Sequence, residues 1–267
     1  MQNNVILPHW LDKLIYEQLG AKYCRSNADM TVIDWDKNDV LNYLGTYFPR
    51  SYAESYCIFS EFFKNQPERF ANKTELTVFD FGCGTGGEII GVLNAIGEKR
   101  NGIKNINIYA LDGNLHALRL YEEILKHYEN KTCFTITNHI LPSQIDDIYD
   151  LRVICDMLSD IVLSGIDIFL SFKAICEFVT KQQFEEENPY KHIVEVFKPA
   201  LNYNGIMCLA DVTIYSNVSE EWLPNMMDKG IQSSNILYRN EFFNSIFKIT
   251  HSRKTQDISK IAWRIIE

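Results

Sequence analysis

The stretch Val78-Phe79-Asp80-Phe81-Gly82-Cys83-Gly84-Thr85-Gly86-Gly87 decides the fold. A short apolar run ending in Asp80 gives way to four glycines within six residues, and the amphipathic segment Glu88–Ile96 follows. This pattern predicts a strand, a tight turn and the start of a helix. Glycine has no Cβ and tolerates positive φ, so the backbone can approach a ligand closely. A helix start offers N–H donors and the positive end of a dipole. Such a turn predicts a site for a nucleotide-like cofactor.

Two cofactors compete for it. Gly82-x-Gly84-x-x-Gly87 matches the dinucleotide fingerprint, which sets a pyrophosphate on the helix N-terminus. The same residues also read Asp80-x-Gly82-x-Gly84-x-Gly86, with a carboxylate two positions before the first glycine. In this form the chain resembles the class I S-adenosylmethionine (SAM) methyltransferases. SAM carries a sulfonium and an ammonium and has no phosphates. A carboxylate beside the turn suits that ligand and repels a pyrophosphate. A glycine-rich turn that binds nothing is the third reading.

Downstream segments alternate between strand and helix patterns. Asn105–Leu111 predicts the second strand, ending in Asp112-Gly113-Asn114, and Asn114 opens a helix to about Tyr128. Asp112 is placed to accept from ribose hydroxyls, a device that NAD and SAM sites share. The third strand is predicted at Thr132–Thr137. The resemblance places Asn138, just after it, beside an adenine, with Gly113 on the other border. Ile166–Ser171 and Gly205–Asp211 are the fourth and fifth strands. Helices are predicted over 150–163 and, with a break near Pro189, over Lys173–Leu201. Phe243–Thr250 and Ile258–Ile266 look like an antiparallel closing pair. The expected fold is α/β: a doubly wound, Rossmann-like methyltransferase sheet of seven strands, the last pair antiparallel, with an N-terminal helical leader. The division is residues 1–74 for a leader or lid and 75–267 for the cofactor-binding domain.

In the leader, Pro8–Leu19 has helical spacing, and a second helix is predicted from Asn38 or Asp39 to Tyr47. Pro49 is expected to interrupt it, with Ser51 capping a third helix to about Lys64. Leader residues of such enzymes often roof the cofactor. Tyr47, Arg50 and Tyr52 are candidates, Arg50 for the cofactor's carboxylate.

Composition narrows the partners. The 267 residues carry a net charge of −9, and 46% are hydrophobic. No apolar stretch approaches the ~18–20 residues of a membrane helix. Seven cysteines are scattered without metal-ligand spacing, and the N-terminus has no basic signal-peptide region, so reduced thiols and a cytoplasmic location are expected. Overall acidity lowers the expectation of unaided nucleic-acid binding.

Tyr-Phe-Pro-Arg-Ser-Tyr-Ala-Glu (47–54), the glycine turn and Asp-Ile-Phe-Leu-Ser-Phe-Lys-Ala-Ile-Cys-Glu-Phe (167–178) together resemble a methyltransferase-like family associated with the small ribosomal subunit. That resemblance covers about a third of the chain and implies an RNA or ribosome-associated acceptor. The cysteine cluster that the family commonly carries is absent here. Small-molecule and protein acceptors stay open, as do a non-catalytic SAM-binding assembly factor and an NAD-dependent oxidoreductase.

No acceptor motif is evident after the fourth strand. Lys173 and Glu177 stand where an acceptor meets the methyl group, and could position or deprotonate it. Ser171 borders the cofactor there, and Gly82, Cys83 and Gly84 supply backbone. Asp167 and Cys176 read as structural. Asp211 and His251 stand at strand ends, His251 as an exposed residue.

Overall fold

The computed structural model describes residues 3–24, 36–145, 165–177, 188–216 and 220–267. Its elements are β1 (Asn4–Ile6), α1 (His9–Lys13, continued by a π-helical turn Leu14–Gln18), α2 (Lys37–Asn65), β2 (Glu75–Phe81), α3 (Gly87–Lys99), β3 (Asn105–Asp112), α4 (Leu115–Glu129), β4 (Thr135–Pro142) and β5 (Ile166–Phe172). These are followed by α5 (Pro189–Phe197), β6 (Leu201–Val212), β7 (Tyr215–Ser216), β8 (Glu221–Trp222), α6 (Leu223–Gly230), β9 (Ile236–Arg239), β10 (Ser245–His251) and β11 (Lys254–Ile266). The predicted helix over 150–163 and residues 178–187 of the next lie outside the described residues.

The main sheet runs β4-β3-β2-β5-β6-β11-β10-β1, with β9 also on β11. Strands β2 to β6 pair in parallel, and β11 is antiparallel to both β6 and β10. The seven predicted strands are therefore present, in a doubly wound order that reverses between β2 and β5. A ligand site is expected at that reversal, over the carboxyl ends of the strands. The additional strands β1 and β9 are too short to show a period.

Side chains alternate across the sheet. Leu76 and Val78 join the core under α1 to α4, while Phe79 and Phe81 join the core under α5 and α6. Asp80 shares the face of Leu76 and Val78, under α2 and α3. Asp167 acts structurally, as predicted. It accepts from the Thr77 N–H at 2.9 Å and the Asn202 amide at 2.9 Å, and pairs with Lys73.

Pro49 does not break the leader helix. α2 is continuous through it for 29 residues, capped by Asp36 rather than by Asn38 or Asp39. A proline leaves the carbonyl four residues back without its helical donor. Here that carbonyl belongs to Gly45, and the Tyr16 hydroxyl donates to it at 2.6 Å. The same hydroxyl lies 2.9 Å from Nδ1 of His251, whose ring stacks on Tyr16. His251 is thus buried, not exposed at a strand end as expected. Tyr16→Phe removes the Gly45 partner while keeping the ring. It is expected to cost about 1–3 kcal/mol in urea unfolding; a loss under about 0.5 kcal/mol would contradict this role of Tyr16.

The β10–β11 hairpin overhangs the sheet. Ile261 pairs with both Val212 and Ser245, so β10 begins at the level where β6 ends. The overhang packs against α2 by matching repeats: Arg50 and Glu54 are one helical turn apart, about 6 Å, and Asp257 and Ser259 are two strand residues apart, about 6.7 Å. Arg50 grips Asp257 with two hydrogen bonds, at 2.7 and 2.8 Å, and Ser259 donates to Glu54. Against α3, α2 approaches through glycine: a Cβ on Gly87 would lie 2.5 Å from the Phe48 carbonyl oxygen. The leader region thus contributes a strand to the sheet and a helix to its core.

Candidate functional site

The glycine turn needs its glycines. Gly82, Gly84 and Gly86 have φ of +71°, +48° and +80°, the left-handed region closed to most side chains. Four of the turn's N–H groups are used internally. Those of Gly82 and Cys83 donate to the Leu111 carbonyl at 2.9 and 3.0 Å, that of Gly84 to Asp112 Oδ2 at 2.8 Å, and that of Gly86 to the Cys83 carbonyl at 2.8 Å. A phosphate cradle requires such donors to be free. Gly87, third glycine of the dinucleotide reading, is packed under α2 instead.

Carboxylates surround this turn. Asp80 is fully buried, and neither of its oxygens has a hydrogen-bond partner. Burial, and next the neighbouring Asp112, push its carboxyl well above the usual range. Glu88, in the first turn of α3, is shifted the same way by burial and then by Asp80. Half-buried Asp112 accepts from Gly84 and, through Oδ1, from the Asn114 N–H at 2.8 Å. Burial raises its carboxyl, against the lowering effect of these backbone donors. A carboxylate offers about four lone-pair sites, so Asp112 keeps acceptor capacity. Cys83 is buried in the turn, its thiol pushed up by burial and then by Asp112.

The other candidates divide. Lys173 lies at the edge of this cluster, one strand over. It has a positive φ of +58°, so it does not open the predicted helix; a short 3-10 turn, Ile175–Glu177, follows, and α5 starts at Pro189, past residues 178–187 outside the described ones. Its ammonium pairs at 2.8 Å with the fully buried Glu54. That arrangement suits a fixed cation and hydrogen-bond donor better than a base. Glu177 is placed by its backbone in the 3-10 turn. Ser171 is buried with an unpartnered hydroxyl, but alternation puts it on the opposite sheet face from Asp80, with Phe169. Asp211, on that face, accepts from the Tyr190 hydroxyl at 2.9 Å and the Cys176 N–H at 3.2 Å.

Three predicted cofactor contacts have partners within the protein. Asn138 is not at a strand end: β4 runs on to Pro142, and Asn138 accepts from the Tyr121 hydroxyl at 3.0 Å. Ser143 and Gln144 occupy the strand's end, where a Cβ on Gly113 would lie 3.1 Å from the Gln144 Cα. Arg50 has its guanidinium committed to Asp257. The Tyr52 hydroxyl accepts from Asn94 at 2.8 Å, seven residues or about 10 Å along α3 from Gly87. Tyr43, which the sequence reading does not single out, lies against the turn. Its hydroxyl would lie 3.1 Å from a Cβ built on Gly84, and its ring stacks on Tyr47 at 5.2 Å. The Tyr43-x-x-x-Tyr47 spacing, one helical turn, was the available signal.

No protein-family model matches the chain, and no curated protein matches it. Solved structures do align with it. One, from Listeria monocytogenes, is assigned to the class I SAM-dependent methyltransferases: 12% identity over 80% of this chain and 59% of that one, TM-score 0.45. The DszA carbon methyltransferase aligns at 14% identity over 96% of this chain and 64% of its own, TM-score 0.45. A SAM-dependent methyltransferase from Methanosarcina mazei aligns at 10% identity over 72% and 93%, TM-score 0.40. The chain spans less than two thirds of the first two.

Among the described residues, no helix is long and apolar enough to cross a membrane, and no group of three or more His, Cys, Asp or Glu side chains is arranged to hold a metal ion.

Proposed function

We propose that the chain is a SAM-dependent methyltransferase. The observation that carries this reading is Asp80: a fully buried carboxylate with two unpartnered oxygens, beneath a glycine turn that spends the N–H groups of Gly82, Cys83, Gly84 and Gly86 internally. A buried carboxylate without a partner is costly unless a cation completes it. A pyrophosphate would bring negative charge to Asp80, Glu88 and Asp112 together, which opposes the oxidoreductase alternative.

The residues present fit SAM. Asp80 would take its ammonium, Asp112 the ribose hydroxyls, and Gly82, Cys83 and Gly84 would lie against it as bare backbone. Gly113, with Ser143 and Gln144, would border the adenine, and Tyr43 and Tyr47 would roof the site. When bound, SAM supplies a methyl group on a cationic leaving group, so positioning and exclusion of water can provide much of the rate without a nucleophile. Lys173, held by Glu54, would orient the acceptor. The expectation of an RNA acceptor rests on the sequence resemblance alone.

A thermal-shift series tests the reading. SAM and S-adenosylhomocysteine at 100 times Kd are expected to stabilise the protein by about 2.7 kcal/mol. NAD and NADP are expected to do nothing. A shift with NAD and none with either SAM species would overturn the proposal.

A further inference from the structure

We infer that the methyl acceptor is an uncharged, ring-bearing small molecule held against Ile214, Tyr215, Trp222 and Phe243; this rests on the reading above. The four residues gather at the sheet edge that carries the glycine turn. Ile214 and Tyr215 follow the last residue of β6, Trp222 pairs with Tyr215, and Phe243 stands two residues before Ser245, which is level with the end of β6 through Ile261. Lys173 borders the same edge, because its N–H donates to the Ala210 carbonyl at 2.7 Å.

All four are exposed: Ile214 by 55%, Tyr215 by 44%, Trp222 by 42% and Phe243 by 44%. The rings are fixed edge-to-face, Tyr215 on Trp222 at 5.4 Å and 72°, and Trp222 on Phe243 at 5.3 Å and 88°. A contiguous exposed aromatic patch on the sheet edge that carries the glycine turn marks a binding surface. Its charges select the occupant. Lys229 pairs with Glu221 at 2.8 Å, Arg239 with Asp228 at 3.1 Å, and Lys173 with buried Glu54. These three cations are neutralised, which leaves exposed Lys260, next to Ile261, as a single cation near the patch among the described residues, whereas a nucleic-acid acceptor needs several cations for its phosphates. An uncharged ring needs only aromatic faces and edges, which this patch supplies.

The test supplies methyl-labelled SAM and an extract of the source cells, afterwards separated into solvent-extractable small molecules, RNA and protein. The native chain is expected to label the solvent-extractable fraction. Trp222→Ala and Phe243→Ala, each away from the cofactor turn, are expected to lower that label about tenfold or more. Both should keep the native SAM-induced thermal shift, which shows that they fold and bind. Label in RNA or protein, label in no fraction, or undiminished labelling by both variants would overturn the inference. So would a native dimer that Trp222→Ala dissociates in sedimentation, which would assign the patch to a second copy. Loss of the thermal shift in the native chain would instead fail the methyltransferase reading itself.

Discussion

Asp80→Asn is expected to make the protein more stable at neutral pH while weakening its hold on SAM roughly ten- to hundredfold. The two effects share one cause. Burial and the nearby Asp112 raise the Asp80 carboxyl well above its ordinary value, so the folded state resists an ionisation that the unfolded state undergoes freely. For a carboxyl raised on folding, stability is full below the unfolded pKa and is lost as pH rises toward the folded one. Asn keeps the shape and does not titrate. Its gain should be absent at acid pH and grow above about pH 4, reaching about 0.5–2 kcal/mol by pH 7. Urea unfolding across pH checks this, and a variant no more stable than the native chain at pH 7 would contradict it. The lost affinity has the size of a hydrogen bond to a charged group. Instability without ligand would then be the counterpart of a cation site.

Asp257→Ala is expected to destabilise the protein by about 3–5 kcal/mol at neutral pH, the usual cost of leaving one member of a buried ion pair alone. Asp257 is almost fully buried, and its loss strands the Arg50 guanidinium and removes the acceptor of the Tyr23 hydroxyl. The pH dependence has the opposite sign to that of Asp80. Burial works to raise the Asp257 carboxyl, but the His251 imidazole, 3.9 Å away, and Arg50 hold it well below the usual range. A carboxyl depressed on folding contributes stability above its unfolded pKa, and that contribution is lost as pH falls toward the folded value. The difference between native and variant should therefore be full near pH 7 and shrink from about pH 4 downward. A difference under about 1 kcal/mol, or one that grows in acid, would remove Asp257 from its place as anchor of the hairpin on α2.

The sequence was most legible where its information is local. Val78–Gly87 and Asp112-Gly113-Asn114 state their turn chemistry within ten residues, and the strands around them follow from short-range pattern. What escaped depends on partners far along the chain. Pro49 reads as a break, because nothing near it announces that Tyr16, 33 positions earlier, supplies the missing donor to Gly45. Arg50 reads as a ligand-binding cation until Asp257 arrives from the opposite end of the chain. Glu54, which no local sequence feature singles out, is fully buried between Lys173 and Ser259. Asn138 was misplaced by a strand boundary, the least local decision in reading β-structure, since β4 extends only because β3 pairs with it to Pro142.

The central claim is that the unpartnered Asp80 carboxyl receives the cation of SAM. Titration calorimetry of SAM at pH 6.5, in two buffers of different protonation enthalpy, tests it most directly. Arrival of a cation should drive Asp80 toward its ionised form. Binding is therefore predicted to release protons, seen as a buffer-dependent heat, and to tighten as pH rises toward the raised pKa of Asp80. Absence of SAM binding, or binding with neither proton release nor pH dependence, would contradict it.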